Sequence, residues 1–298
     1  MRIATWNVNS LKARAEAVAI WLDRVQPDVL LLQETKLADA DLPDEPFASR
    51  GYTLLHHGEG RWNGVAIASR VGIADPVTNF GDGPVRDTRA GASGGDADEG
   101  FDPGREARMV AATCGGVRVA SLYIPNGRVV GTEFYEGKLR WLARLERWLA
   151  ERCSPAEPLV LGGDWNVAPA DEDVWDPAAM EGSTHVTAAE RDALARIRAW
   201  GLADAYRRRN PEPGRYSWWD YRAGAFPRNM GLRIDLLYAS APVMERLVWA
   251  EIDRTARKGP PTPSDHAPVI LDLDAPGTPI DAGWSGAAER AARRAGRA

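Results

Sequence analysis

The sequence predicts an α/β fold: one domain built of two packed mixed β-sheets flanked by helices. Three features carry that expectation. Strand-like segments outnumber helix-like ones, hairpin signals alternate with segments long enough to be crossovers, and the apolar runs are continuous, as in strands buried on both faces. No repeat of fixed period is visible.

Ile3 to Val8 reads as the first strand. Ser10 is placed to cap a helix whose apolar residues, Leu11, Ala15, Val18, Leu22 and Val25, recur at three- and four-residue steps; Pro27 ends it. "DVLLLQET" and "GVAIASR" (Gly64 to Arg70) are the next buried strands. "ARMVAAT" and "VRVASLYIPN" flank Cys114-Gly115-Gly116, a hairpin signal. Thr132 to Glu151 is an amphipathic helix with Leu142, Leu145, Trp148 and Leu149 on one side. "PLVLGGD" follows as a strand. Thr187 and Glu190 form a capping box opening a helix that ends at Gly201, and "RIDLLYAS" and "APVILDLD" are late strands.

A chain of 298 residues, 44% hydrophobic and 27% charged, has room for one large soluble domain with a sizeable core. Residues 1–275 are expected to form it. A Pro/Gly break then introduces an Ala/Arg-rich tail, 276–298, expected to be frayed or a loosely docked helix. Gly81 to Gly104, rich in Gly and Asp, is expected to be a mobile surface insertion. Two cysteines, Cys114 and Cys153, far apart, exclude a disulfide framework and a zinc cluster and suit a reducing cytoplasm. The N-terminus has no apolar signal region, and the longest aliphatic run, Val29 to Leu32, is too short to span a membrane.

The formal net charge is -5, but its distribution is uneven. Glu190 to Arg233 holds ten Arg against five acids, together with the aromatics of "YSWWDYR", which favours a nucleic-acid surface over a solvated face. Pro169 to Glu181 holds five acids and no base.

Polar residues recur where predicted strands end. "GGDWNVAP" closes one strand with Asp164 and Asn166, two apart and hence on one face, with Trp165 opposite. Asn7 ends the first strand, Glu34 the second, and Tyr123 and Asn126 another; Asp235 lies in "LRIDLL", and Asp265 and His266 precede the last. Each alone reads as a turn, cap or core residue. Together, at strand ends where a sheet presents its crevice, they read as a site. Oxygen donors without paired Cys suit Mg²⁺ or Mn²⁺ rather than zinc. The adjacent His56 and His57 point opposite ways on a strand and fit an edge or surface position better than a ligand pair.

"WNVNS", "QETK", "YIPNGR", "GDWNVAP", "YSWWDYR", "GLRIDLL" and "SDHAPV" occur in the order of the exonuclease III / apurinic-apyrimidinic endonuclease family, within the endonuclease-exonuclease-phosphatase superfamily, and the chain resembles it from residue 1 to about residue 272. The resemblance implies a four-layer α/β sandwich and a monomeric, cytoplasmic enzyme, nucleoid-associated through its substrate. That enzyme would cut double-stranded DNA at abasic sites and 3′ ends and would bind no membrane. It implies Mg²⁺, with Mn²⁺ as substitute, held by Glu34 with Asn7 nearby, in a metal-side set that also includes Asp164, Asn166, Asp265 and His266. By the same resemblance Asp164 orients or deprotonates water and Asn166 bonds the scissile phosphate. His266, oriented by Asp235, donates to a phosphate oxygen, and Tyr123 sits near the leaving oxygen or the phosphate. Asn126 and Arg128 contact the strand around the lesion, and Trp218, with Trp219, walls a pocket for a sugar lacking its base.

Three features depart from the pattern: Asn9 where some relatives have Asp, the long acidic Gly81–Gly104 segment, and the paired Trp. Two other readings are a same-fold phosphoesterase acting on RNA or small phosphate esters, and a non-catalytic DNA-binding module. Intact Glu34, Asp164, Asn166, Asp235 and His266 weigh against the second.

Overall fold

A computed structural model describes residues 1–43, 45–81 and 102–286. In chain order its elements are β1 (Arg2–Asn7), α1 (Leu11–Val25), β2 (Val29–Gln33), β3 (Thr53–His57), β4 (Val65–Ser69), β5 (Ala74–Thr78), β6 (Met109–Cys114) and β7 (Val117–Tyr123). There follow α2 (Glu133–Arg152), β8 (Leu159–Asp164), α3 (Pro177–Met180), α4 (Ala188–Ala199), β9 (Leu202–Asp204), α5 (Ala205–Arg209), α6 (Ala225–Arg228), β10 (Asp235–Ser240), α7 (Ala241–Met244), β11 (Leu247–Ile252) and β12 (Val269–Leu273). They make two six-stranded mixed sheets, ordered β11-β12-β1-β2-β4-β3 and β5-β6-β7-β8-β10-β9.

Side-chain alternation along the central strands builds the layers. On β2, Val29 and Leu31 point inward and share a core with Val160 and Leu237 of the second sheet. Leu30 and Leu32 point outward and pack with Val18, Trp21 and Leu22 of α1. On β8, Leu159 and Leu161 point outward against Trp141 and Leu145 of α2 and Ile197 of α4. The result is the expected α/β/β/α sandwich.

The four strands without a clear signal in the sequence, β3, β5, β9 and β11, are the four sheet edges. An edge strand buries less of itself, so its apolar run is broken; β5 is almost wholly exposed. His56 and His57 lie on β3, one of these edges.

Gly162 and Gly163 mark a close approach at the end of β8. A Cβ on Gly162 would come within 2.6 Å of Leu31 Cδ1 and 2.7 Å of Leu237 Cδ2, and one on Gly163 within 1.9 Å of the Leu122 carbonyl oxygen. Gly163 therefore meets β7 of its own sheet, while Gly162 lets the two sheets touch tightly just before Asp164. A buried polar contact pins them there as well. Gln33 Nε2 donates to Ser121 Oγ across the sheets at 2.9 Å and to Thr5 Oγ1 at 3.0 Å, and Ser121 Oγ donates to the Leu32 carbonyl at 2.8 Å.

The charge-rich segments turn out to be each other's partners. Buried Asp173 accepts Arg233 Nε at 2.7 Å and Nη2 at 3.1 Å and also pairs with Arg207; Arg233 Nη1 lies 2.8 Å from Asp204, and Arg191 pairs with Asp171 at 2.8 Å. Arg196, Arg215 and Arg222 pair with Glu146, Glu251 and Asp220. The basic stretch 190–233 is thus not the continuous nucleic-acid surface its composition suggests, because most of its arginines are spent on acids of the same fold.

Residues 276–286 run without helix along the first sheet. Gly277 N–H donates to Asp272 at 2.7 Å, Thr255 Oγ1 to the Asp281 carbonyl at 2.9 Å, and Trp284 Nε1 to the Ile252 carbonyl at 2.7 Å. The readings of the Gly81–Gly104 insertion and of the outer tail fall largely on residues 82–101 and 287–298, outside the described residues. Among the described residues no helix is long and apolar enough to cross a membrane.

Burial alone would raise the pKa of Asp173, but the guanidiniums of Arg233 and Arg207 hold it below the usual carboxylate range. A depressed folded-state pKa stabilises above the unfolded value and is lost as pH falls through the folded one. Asp173→Asn should therefore cost about 3–5 kcal/mol at neutral pH. In denaturant melts the gap to the parent should narrow as pH falls below the ordinary Asp range. A gap independent of pH would contradict the ion-pair assignment.

Candidate active site

Strand direction and register assemble the site. β1 and β2 are parallel, as are β7 and β8, so four strand ends share one rim. β10, antiparallel to β8, and β12, antiparallel to β1, begin there. In the second sheet Tyr123 is paired with Asp164 and Asp164 with Asp235, which sets three polar side chains in one row across three strands. In the first sheet Asn7 pairs with Gln33, the residue before Glu34. His266 arrives from the loop entering β12.

The two sheets meet through Asn7. Its Nδ2 donates to Glu34 Oε1 at 2.8 Å and, across the gap, to Asp164 Oδ2 at 3.0 Å. Asp164 also accepts the Asn166 backbone N–H at 2.9 Å and Asn166 Nδ2 at 3.1 Å. Asn166 Oδ1 accepts Asn126 Nδ2 at 3.1 Å, so two amides form a clamp beside the carboxylate. His266 Nδ1 lies 2.8 Å from Asp235 Oδ2, and its Nε2 lies 3.9 Å from Asp164 Oδ2. Glu34 (φ 52°) and Asn166 (φ 51°) adopt left-handed backbone, uncommon for residues with a Cβ and most unusual for Glu. Both turn the chain at a strand end so that the side chain faces the rim.

Burial and charge set the protonation states. Burial pushes Asp164 up to about 7, with Asp235 and Glu34 adding to the rise and His266 opposing it. Burial opposes charge on His266, but Asp235, Asp164 and Asp265 outweigh it and push the ring up to about 10, so the imidazole is cationic. Burial, and then the negative charge of Glu34, raises Tyr123 well above the phenol range, so it keeps its proton. The guanidinium of Arg108 lies 4.7 Å from the Tyr123 ring centre.

Glu34, Asp164 and His266 each present one ligand atom, all within 4.8 Å of one another. The two carboxylate oxygens, with no thiolate, fit a hard divalent cation; the His266 nitrogen is at ligand distance but carries a proton in the cationic ring, so the expected His266 ligand is not available in that state. Asp265 stands outside this triangle. Its oxygens accept Asn9 Nδ2 and Trp218 Nε1, each at 3.0 Å, and Asn9 Oδ1 in turn accepts Lys36 Nζ at 2.6 Å. Lys36 also lies 2.8 Å from Glu34. Asn9 thus links the Glu34 side of the site to the Trp218 side.

Trp218 is half-buried and lines a mostly apolar cavity of about 390 Å³ with Trp175, Met180, His185, Met230 and Leu232. Trp219 does not join it. Adjacent strand-like residues face opposite ways, and Trp219 is 0% exposed in the core, stacked edge-on against Phe226 with centroids 5.2 Å apart. It cannot wall a substrate pocket. Asn126 and Arg128 are exposed on the other flank, with the Arg128 guanidinium over the Phe134 ring.

Several residues that shape the site carry no obvious signal in the sequence. Ser264 Oγ donates to the Asn7 carbonyl at 2.7 Å and accepts the His266 N–H at 3.2 Å. Ser217 Oγ accepts the Asp235 N–H at 2.9 Å. His185 Nδ1 bonds the Asn166 carbonyl at 2.5 Å.

Two stacked mixed sheets with carboxylates, amides and an Asp–His pair at one rim define the four-layer α/β-sandwich hydrolases. Residues 4–266 match the Endonuclease/Exonuclease/phosphatase family, and the chain belongs to that family. It is similar to exodeoxyribonuclease III of Haemophilus influenzae, 30% identical over 289 residues and covering 92% of this chain and 100% of that protein. It is likewise similar to the exodeoxyribonuclease of Bacillus subtilis, 30% identical with the same coverage. Among solved structures it resembles an AP endonuclease from Archaeoglobus fulgidus (33% identity, TM-score 0.82) and a 3′-5′ exonuclease from Neisseria meningitidis (34%, TM-score 0.80); each match covers 92% of this chain and 100% of the other.

A cation that binds the folded state raises its stability, by about 2.7 kcal/mol at a hundredfold excess over Kd. Thermal melts with increasing divalent salt should show that rise for the parent and little of it for Glu34→Gln. An equal rise in both would place the cation elsewhere.

Proposed function

We propose that this chain is a Mg²⁺-dependent DNA repair phosphodiesterase, with Mn²⁺ as substitute metal. It trims 3′ ends in the 3′-to-5′ direction and hydrolyses the phosphodiester 5′ to abasic sites, as a monomer on double-stranded DNA in the cytoplasm. The observation that carries this reading is the surrounding of Asp164: amides from both sheets contact its carboxylate, and an imidazolium steadied by Asp235 lies 3.9 Å away. The names of the relatives support DNA as substrate, and one similar Neisseria structure is described as a 3′ phosphatase bound to product DNA hairpin.

The chemistry divides among these residues. Asp164, with a pKa near 7, takes a proton from the attacking water as the water oxygen bonds to phosphorus. Cationic His266 donates to a non-bridging phosphate oxygen, and Asp235 fixes its ring. Asn166, held by Asn126, offers its amide to the same phosphate. The phosphorus–oxygen bond to the 3′ carbon breaks, and the protonated Tyr123 phenol is placed to donate to that leaving oxygen. Glu34, with Asp164 beside it, would hold the divalent cation, which supplies positive charge for the phosphate; His266, protonated at both ring nitrogens, would face the phosphate and not ligate. Every activity assigned here releases a 3′ oxygen, so one arrangement serves both ends and abasic sites.

With most of its arginines paired to acids of the same fold, segment 190–233 no longer argues by itself for a polymeric substrate. The support now comes from exposed Asn126 and Arg128 on one flank of Asp164 and half-buried Trp218 on the other. A small phosphate ester would not need both.

A gel assay on one duplex carrying a central abasic site and a recessed 3′ end tests the reading. Cleavage should require Mg²⁺, and EDTA should stop it while largely sparing DNA retention. Asp164→Asn and His266→Ala should each lose about 10²- to 10⁴-fold in rate while remaining folded. Nicking at the parent rate by Asp164→Asn would refute the assignment, and faster turnover on single-stranded RNA would favour an RNA-directed enzyme.

A further inference from the structure

Two helices of the outer layer each send a charged side chain into the interior behind the site. Lys138 lies on α2 and Glu190 in the first turn of α4, and both are 0% exposed. Their charged atoms lie 2.5 Å apart. Glu190 completes the capping box of α4 with Thr187, and that alone would explain an acid at this position. It does not explain the rest of the contacts.

Lys138 Nζ also donates to the backbone carbonyl of Asn166 at 2.6 Å and to that of Asn126 at 3.3 Å. These are the two residues whose side-chain amides form the clamp beside Asp164. Glu190 Oε1 accepts Thr184 Oγ1 and the His185 N–H, each at 3.0 Å, and so fixes the segment from which His185 Nδ1 reaches the same Asn166 carbonyl. The Lys138 stem passes against Gly127, where an added Cβ would lie 3.0 Å from its Cδ. Three separate chain segments thus converge on one ion pair, and Asn166, in left-handed backbone, has its carbonyl held from two sides.

We propose that the Lys138–Glu190 pair is the positioning device for the Asn126–Asn166 amide clamp, setting where those amides meet the phosphate. Lys138 and Glu190 are positioning residues: they are sealed from substrate and act through Asn166. The inference rests on the reading of Asn166 as a phosphate ligand.

A double-mutant cycle on the full chain tests it, read as single-turnover cleavage of a recessed 3′-end duplex with Mg²⁺. Removing both charges together, Lys138→Met with Glu190→Gln, leaves no lone buried ion. In the parent background this should slow cleavage by about 10- to 100-fold, the scale of a small misplacement of a reacting group. In an Asn166→Ala background the same change should cost little more, because the residue it positions is gone. Equal fold-losses in both backgrounds, or none in the parent, would overturn the inference and leave the pair as a helix cap. Glu190→Gln alone, close in shape, is run through the same cycle and decides the matter by the same criterion if the double variant does not fold. Parent-like cleavage by Asn166→Ala would bring down the phosphate-ligand reading and this inference with it. Impaired Asn166→Ala beside an unimpaired charge-pair variant would overturn only the inference.

Discussion

A carboxylate buried at the seam between two sheets has to be compensated, and in this protein that carboxylate is Asp164. It is 1% exposed. An ionised carboxylate in such a place is unfavourable by several kcal/mol without partners. Its own turn supplies a backbone N–H and the Asn166 amide; the other sheet supplies Asn7; the loop before β12 supplies a cationic imidazole. No single sheet could provide all of these. The stacking of the sheets and the construction of the site are therefore one requirement, and whatever misaligns the first leaves the second with an uncompensated charge.

Alignment is enforced at several depths. Register places Tyr123, Asp164 and Asp235 in one row, and a slip of one residue would turn all three away. Behind that row Gly162 lets the sheets approach closely, and the Gln33–Ser121 bond ties them across the gap. Outside both sheets, α2 and α4 reach the strand-end turns through buried Lys138 and Glu190. Asn166, in left-handed backbone, is unfavourable by itself and is held from behind in this way. Glu34, also left-handed, is held by the segments before α1 and β4: the Ser10 N–H donates to the Glu34 carbonyl at 2.7 Å and the Thr35 N–H to the Gly64 carbonyl at 3.1 Å.

Much of this could be read in the chain. The central strands announce themselves because both faces are buried, and their polar final residues stand out for the same reason. The edge strands do not, since one broken face resembles a loop. The Trp218–Trp219 ambiguity had a clue in alternation, which lets only one of two neighbours face a pocket. The arginines of 190–233 were misleading because composition records charge and not its partner, although the oppositely charged stretch 169–181 was equally visible. Lys138 falls on the stripe of Leu142, Leu145 and Leu149 at helical spacing, so its burial was implied by position while its charge suggested solvent. Ser217 and Ser264 had no such clue, because their role is a hydrogen bond set by tertiary contact.

The central claim is that residues far apart in number, Glu34 at the rim of the first sheet and Asp164 at the rim of the second, surround one cation, with His266 beside them on the loop entering β12 of the first sheet. Anomalous diffraction from crystals soaked in Mn²⁺ tests it most directly. The account predicts a strong peak within coordinating reach of the Glu34 carboxylate, on the side facing Asp164 and His266. A crystal with Mn²⁺ bound at any other acidic cluster, and no peak at this rim, would contradict it.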